Sequence, residues 1–405
     1  MSLNTTTTSF EDLPHEMSVN IFLRLPVKSL IRSTSVNKKW YSLISNPNFV
    51  SSQIKHAISH THDNAVLIIP PIISHQNYCS LVEAQTGSVI ENYEIPFKTK
   101  SNSLKLIASV NGLVLLTDLH ACYGSRDLYL WNPCVKRHLV LVSTCFKTLL
   151  NNRDRWYFIV GFGFNEASND YRVVRIVYNM KGFEDVAPRV EIYSMKKHTW
   201  RKLKDIVVPR IGMEYGTYVE GRYYWLETKV RTEGEGRKDV WILSFDFDTE
   251  VFGEIKVPDE VSSCIGLSDT HNLMEFEGSL SLCVSGKQGR KKDTSRTYAI
   301  WLMRHENGEN SWTLRFRAVL EKFGFPMNIT KSGTLILESY PFGVLEVSKI
   351  LSCNLNTIQY KDLGICKRGG EEVSQFLVAP CVVDTSFAES LVMFEGGKSL
   401  LKYAQ

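Results

Sequence analysis

The sequence predicts an α+β multidomain chain in which a small all-α segment is followed by an all-β propeller of six four-stranded blades. Two observations predict it. Apolar residues recur with helical period up to about residue 62 and then alternate as in short strands. The β part also repeats, with equivalent turns spaced 54 residues apart on average. The length leaves room for both parts, since 405 residues exceed the common size of one domain. An apolar content of 43%, with 11% aromatic residues, is enough for a sizeable core.

In the helical part, Met17, Ile21 and Leu25 recur every four residues on one face of a helix that Pro14 begins and Pro26 ends. Val27, Leu30, Ile31, Val36, Trp40 and Leu43 form a second stripe, read as one helix, until Asn46-Pro47 interrupts it. Phe49, Ile54, Ala57 and Ile58 continue in a third helix before the polar run His60-Thr61-His62-Asp63-Asn64, read as a hinge. The expected division is a helical docking module over 9–55, a linker over 56–64 and a propeller over 65–400. Helices this short cannot cover all their apolar faces with one another. A partner, or the following domain, must cover the rest.

Each β repeat is an alternating apolar run that ends in a polar turn, with apolar or aromatic residues six and nine places further on. Val190-Glu191-Ile192-Tyr193-Ser194 is followed by Trp200 and Leu203, Ile242 to Asp246 by Phe252 and Ile255, and Ile350 to Asn354 by Tyr360 and Leu363. Weaker copies end near Ala84, Asn132 and Arg304, which makes six units at close to the period of kelch-type blades. A second element, Asn111-Gly112, Glu220-Gly221, Glu277-Gly278 and Ser332-Gly333, supplies the positive φ of tight hairpin turns, so each unit holds two hairpins. Radial closure then hides most sheet edges. The first unit lacks a strand, and Ser390-Leu391-Val392-Met393-Phe394 is expected to supply it.

Charge names no ligand. Forty-seven Lys and Arg against forty-three Asp and Glu leave a net charge of +4, which argues against nucleic acid as the partner. The longest apolar run, Val66 to Ile73, is interrupted by Pro70 and Pro71, and no membrane span is expected. The Thr-rich start has no secretory pattern, and nine cysteines without a C-x-x-C fit reduced thiols, so a cytoplasmic or nuclear location is expected.

Catalytic signals are weak. His56, His60, His62 and His75 have no acidic or thiolate partner at metal-ligand spacing and read as hydrated side chains. Gly161-Phe162-Gly163 lacks the third glycine of a phosphate loop and reads as a strand-end turn. The basic run Lys287 to Lys292 reads as a solvated loop tip. Trp200, Phe252 and Tyr360 read as inter-blade core, because they occupy repeat positions. No cofactor and no metal are expected.

The segment Leu13-Pro14-His15-Glu16-Met17, Ile21 to Leu30 and Val36 to Ile44 resembles an F-box. Leu130-Trp131-Asn132-Pro133, Gly161 to Phe164, Asp170 to Arg175, Val190 to Ser194 and Ser244-Phe245-Asp246 resemble the kelch-like F-box-associated region of the large plant F-box family, which includes the S-locus F-box-like proteins. The resemblance implies docking on a Skp-type adaptor, and through it on cullin and a RING protein, by Leu13, Pro14, Ile21, Leu25, Pro26, Val27, Leu30, Val36 and Trp40. Ser33-Thr34-Ser35 stands where many relatives have Phe-Arg-Cys. The function implied is that of a non-catalytic substrate-recognition subunit of a Skp-cullin-F-box ubiquitin ligase, with a target protein on the propeller and neither nucleic acid nor membrane as partner. The alternatives are a scaffold that binds the adaptor without ubiquitination, or a kelch-fold enzyme. Target recognition is expected on the loops Asp118–Asp127, Ser143–Arg155, Asn179–Arg189, Lys229–Asp239 and Gly286–Arg296, because propeller strands are consumed by pairing.

Overall fold

Prolines start the first two helices. The computed structural model describes residues 13–60, 64–69, 78–98, 104–118, 127–141, 145–146, 156–179, 187–204, 206, 208, 216–230, 238–262, 270–287, 295–306, 309–321, 324–339, 349–364, 382–393 and 398–399. Pro14 precedes α1 (His15–Leu23) and Pro26 precedes α2 (Val27–Ser33), where a missing N–H costs nothing. The stripe read as one helix from Val27 to Leu43 is two, α2 and α3 (Lys38–Ile44). The break has a local cause. The hydroxyls of Ser33 and Thr34 donate to the carbonyls of Ser29 and Ile31 at 2.9 and 2.6 Å, and Asn37 caps α3 by accepting the Trp40 N–H at 2.8 Å. The fourth helix, α4 (Pro47–His60), runs without a break through position 55, so 56–60 are helical rather than linker.

Five blades take their four strands in chain order. Blade 2 is β4 (Leu104–Val110), β5 (Leu113–Asp118), β6 (Leu128–Asn132) and β7 (Arg137–Leu141), and it follows β1 (Ala65–Ile69), β2 (Tyr78–Glu83) and β3 (Val89–Glu94) of blade 1. Blade 3 is β8 (Trp156–Asn165), β9 (Asp170–Asn179), β10 (Arg189–Ser194) and β11 (Thr199–Leu203). Blade 4 is β12 (Gly216–Val219), β13 (Arg222–Val230), β14 (Lys238–Asp246) and β15 (Phe252–Lys256), followed by the short α5 (Asp259–Ser262). Blade 5 is β16 (Thr270–Phe276), β17 (Ser279–Lys287), β18 (Arg296–Glu306) and β19 (Glu309–Leu320), and blade 6 is β20 (Phe325–Ile329), β21 (Thr334–Ser339), β22 (Lys349–Asn354) and β23 (Gln359–Asp362).

Blade 1 is completed by β24 (Val382–Asp384), which pairs antiparallel with β1 so that Val382 lies opposite Ile69. The first strands β24, β4, β8, β12, β16 and β20 touch in turn around the axis, which closes the ring. The closing strand is therefore not Ser390 to Phe394, as the apolar run suggested. Within that run, Ser390 to Met393 are not strand but cross from blade 1 to the helices, and β25 (Lys398–Ser399) then adds a fifth strand to blade 2 beside β7. Apolarity marked a buried segment without revealing its pairing, because strand and irregular backbone bury the same side chains.

The repeat spacing has a physical source. Asn132, Asp246 and Asn354 end the third strand of their blades, and each accepts backbone N–H groups two and three residues on. Ser194 accepts the Lys197 N–H in the same place. The fourth residue of each turn, Lys136, His198, Glu250 or Ile358, has positive φ. In the first hairpin of blades 2, 4 and 5, the residue before the glycine and the glycine itself both have positive φ, the geometry of a type I′ turn.

Apolar layers lie between adjacent blades, the largest shared by blades 2, 3 and 4. Trp200, Phe252 and Tyr360 pack against these layers as scaffold. Gly161 and Gly163 lie inside β8 and not in a strand-end turn. A Cβ on Gly161 would come within 2.7 Å of the Trp225 ring, and one on Gly163 would overlap Phe247, so these glycines admit aromatic rings from blade 4.

Candidate functional site

The helical module is packed from one side. Phe22, Val27, Leu30, Ile44 and Phe49 form its core, and Leu391 from the C-terminal segment joins them. Val50 and Ile54 of α4 turn to the propeller layer of blades 2 to 4. Other large apolar side chains of the module remain in solvent. Met17 and Ile21, one turn apart on α1, are 53% and 39% exposed, and Val36 and Tyr41 around the start of α3 are 62% and 59% exposed. Five of the fourteen exposed large hydrophobic residues among the described residues lie between positions 13 and 60.

The nine residues singled out in the sequence divide by burial. Pro14, Ile21, Pro26 and Val36 are exposed, while Leu13, Leu25 and Trp40 are half-buried. The Trp40 ring meets Phe22 edge-on, with centroids 5.3 Å apart. Val27 and Leu30 are 2% and 0% exposed and offer no surface, because α2 turns them into the module's own core. Sequence reasoning left out Met17 and Tyr41. The first was legible as the partner of Ile21 at i−4, and the second only from the structure, which half-buries Trp40 and leaves Tyr41 exposed.

Exposed Arg24, Lys28, Arg32, Lys38 and Lys39 lie on the same three helices and their flanks, where Glu16 is the only acidic residue among the described positions. This surface suits an acidic partner. Lys28 reaches Glu91 of blade 1 at 3.4 Å, an exposed pair that contributes little to stability.

On the propeller, most of the five loops expected to bind a target lies outside the described residues, as do His62, His75 and positions 288–292 of the basic run. Among the described residues there is no group of three or more His, Cys, Asp and Glu that could hold a metal ion. One deeply buried ion pair is well partnered. Arg175 meets Glu191 at 2.5 Å, Glu191 also accepts the Cys145 N–H at 2.7 Å, and the guanidinium lies 4.1 Å from the centroid of the Trp200 ring. Burial pushes the Cys79, Cys134 and Cys283 thiols well above their ordinary range, which suits inert core thiols rather than nucleophiles. No described helix is long and apolar enough to cross a membrane.

A short helical module with several apolar side chains left in solvent, followed by a closed six-bladed ring, defines a class: a small helical domain joined to a β-propeller. Comparison with known proteins assigns the family. The family described as F-box associated beta propeller domain matches residues 72–393, and the F-box domain matches residues 10–52. The chain belongs to the F-box-associated propeller family and carries an F-box. Several relatives are plant proteins. F-box protein At3g07870 of Arabidopsis thaliana is 27% identical over 325 residues, covering 75% of this chain and 71% of that protein. F-box/kelch-repeat protein At3g23880 of the same plant is 28% identical over 75% of this chain and 78% of its own length. F-box protein CPR1, also from Arabidopsis thaliana, is 24% identical over 75% and 72%.

Proposed function

We propose that this chain is a substrate receptor of a Skp-cullin-F-box ubiquitin ligase. Residues 9–55 dock on a Skp-type adaptor, and through it on cullin and a RING protein, while the propeller over 65–400 captures a target protein for ubiquitination and degradation. The observation that carries the reading is the exposure of the apolar side chains Met17, Ile21, Val36 and Tyr41, on helices that also expose Arg24, Lys28, Arg32, Lys38 and Lys39, in a module that already has its own buried core. A partner groove that accepts this face would desolvate side chains that the chain itself leaves in water. Leu13, Pro14, Leu25, Pro26 and Trp40 border the contact, and Val27 and Leu30 support it from beneath. The chain makes and breaks no bond in this reading. It contributes proximity, by raising the effective concentration of target lysines near a charged conjugating enzyme. Such a role places it in the cytoplasm or nucleus.

The test is recovery of adaptor and cullin with the wild-type chain and with a Leu13→Ala/Pro14→Ala variant. The variant should lose most of the cullin, and equal recovery of cullin in both would refute the docking claim.

A further inference from the structure

The C-terminal segment does more than close the ring. After β24 the chain leaves blade 1 and is gripped at successive residues by three parts of the molecule. Phe387 packs in the layer between blades 1 and 2, edge-on to Tyr93 at 5.8 Å, and the Tyr93 hydroxyl donates to Glu389 Oε1 at 2.8 Å. Asn132 of blade 2 directs its amide at the carbonyls of Ser390 and Val392, at 3.1 and 2.9 Å. Gly112 lets the strap pass, since a Cβ there would overlap the Ala388 carbonyl oxygen and the Ser390 side chain.

The third grip is on the helices. Gln53 of α4 is 4% exposed; its amide donates to the Glu389 carbonyl at 3.2 Å and its Oε1 accepts the Leu391 N–H at 3.3 Å. This completes a two-bond clasp of side chain on strap backbone. Leu391, 2% exposed, inserts into the helical core beside Phe22 and Leu30. Two other polar contacts between the module and the ring, Lys28 to Glu91 and the Lys331 Nζ donating to the Ile58 carbonyl, are solvent-exposed. Exposed contacts of this kind are weak.

We propose that Asp384–Val392 is a splint that fixes the angle between the F-box and the propeller. The strand that closes the ring ends at Asp384, and the residues that hold α4, Glu389 and Leu391, follow five and seven positions later on one short, pinned segment, so the F-box is tied to the ring at its closure point. The splint does not depend on the receptor reading. Its consequence, that a target on the propeller is presented at one fixed distance from the adaptor, rests on that reading.

The test uses the full chain with spin labels on noncanonical amino acids at Ser45, at the end of α3, and Thr313, on β19, both exposed. Wild type should give one narrow distance distribution. Gln53→Ala removes the clasp, Leu391→Ala removes the insertion, and each should broaden the distribution by about twofold or more, as expected when a local contact that limits opening is lost. The propeller melting transition and adaptor recovery with Gln53→Ala should stay as in wild type. An unchanged width in both variants overturns the splint. If Leu391→Ala unfolds the helices, Gln53→Ala alone decides. Failure of the wild-type chain to bind adaptor would sink the receptor reading and leave the distance measurement to judge the splint.

Discussion

Leu30 and Ile21 resemble one another in sequence, as apolar residues of adjacent helical stripes, and the structure predicts opposite consequences for their truncation. Leu30 is fully buried among Phe22, Val27, Ile44, Phe49 and Leu391. Leu30→Ala should cost about 3–4 kcal/mol, the transfer term for the lost carbons plus the cavity left behind. A segment of about 50 residues has a share of only about 2.5–7.5 kcal/mol at ordinary stability per residue, so the helices should open locally while the ring stays folded. Ile21 is 39% exposed on α1, and Ile21→Ala should change stability by under about 1 kcal/mol. It should instead weaken adaptor binding by about 1–2 kcal/mol, or 5–30-fold in Kd. Hydrogen exchange of the α1–α3 amides, with calorimetric titration of a Skp-type adaptor, reads both effects in one preparation. The reasoning fails if Ile21→Ala raises helix exchange as much as Leu30→Ala does, or if Leu30→Ala leaves that exchange at the wild-type level.

Three further outcomes are expected. Gly112→Ala should lower the denaturant midpoint far more than Gly221→Ala: both have positive φ, at +77° and +81°, but only the first would drive a Cβ into the strap. Glu191→Gln should cost about 3–5 kcal/mol by leaving Arg175 buried without its countercharge, measurable by thermal unfolding, and a loss below 1 kcal/mol would contradict the burial of the pair. Burial raises the Asp384 carboxyl above its ordinary value of 3.8, against hydrogen bonds from the Ser386 N–H and hydroxyl. The folded state therefore holds this proton more tightly than the unfolded chain, and its contribution to stability falls as pH rises above about 4. Asp384→Asn should flatten that part of the stability profile, and an unchanged slope would refute the assignment.

The sequence by itself determined the two-module division, six blades and the third-to-fourth-strand turns of all blades but the fifth, where the strand runs past Arg304 to Glu306, because these rest on short-range chemistry. Alternation follows from the pleat. Asn132, Asp246 and Asn354 recur because a side chain at that place accepts the turn's own N–H groups. Even the split of α2 from α3 was written in Ser33, Thr34 and Asn37, though a stripe of apolar residues concealed it. Tertiary structure alone decided which of the nine docking candidates face water, since Val27 and Val36 are both valines at helix starts or bends and differ only in what surrounds them. It also decided that Val382–Asp384 closes the ring while Leu391 enters the helices. Those pairings join residues more than three hundred positions apart, and apolarity alone does not distinguish one buried destination from another.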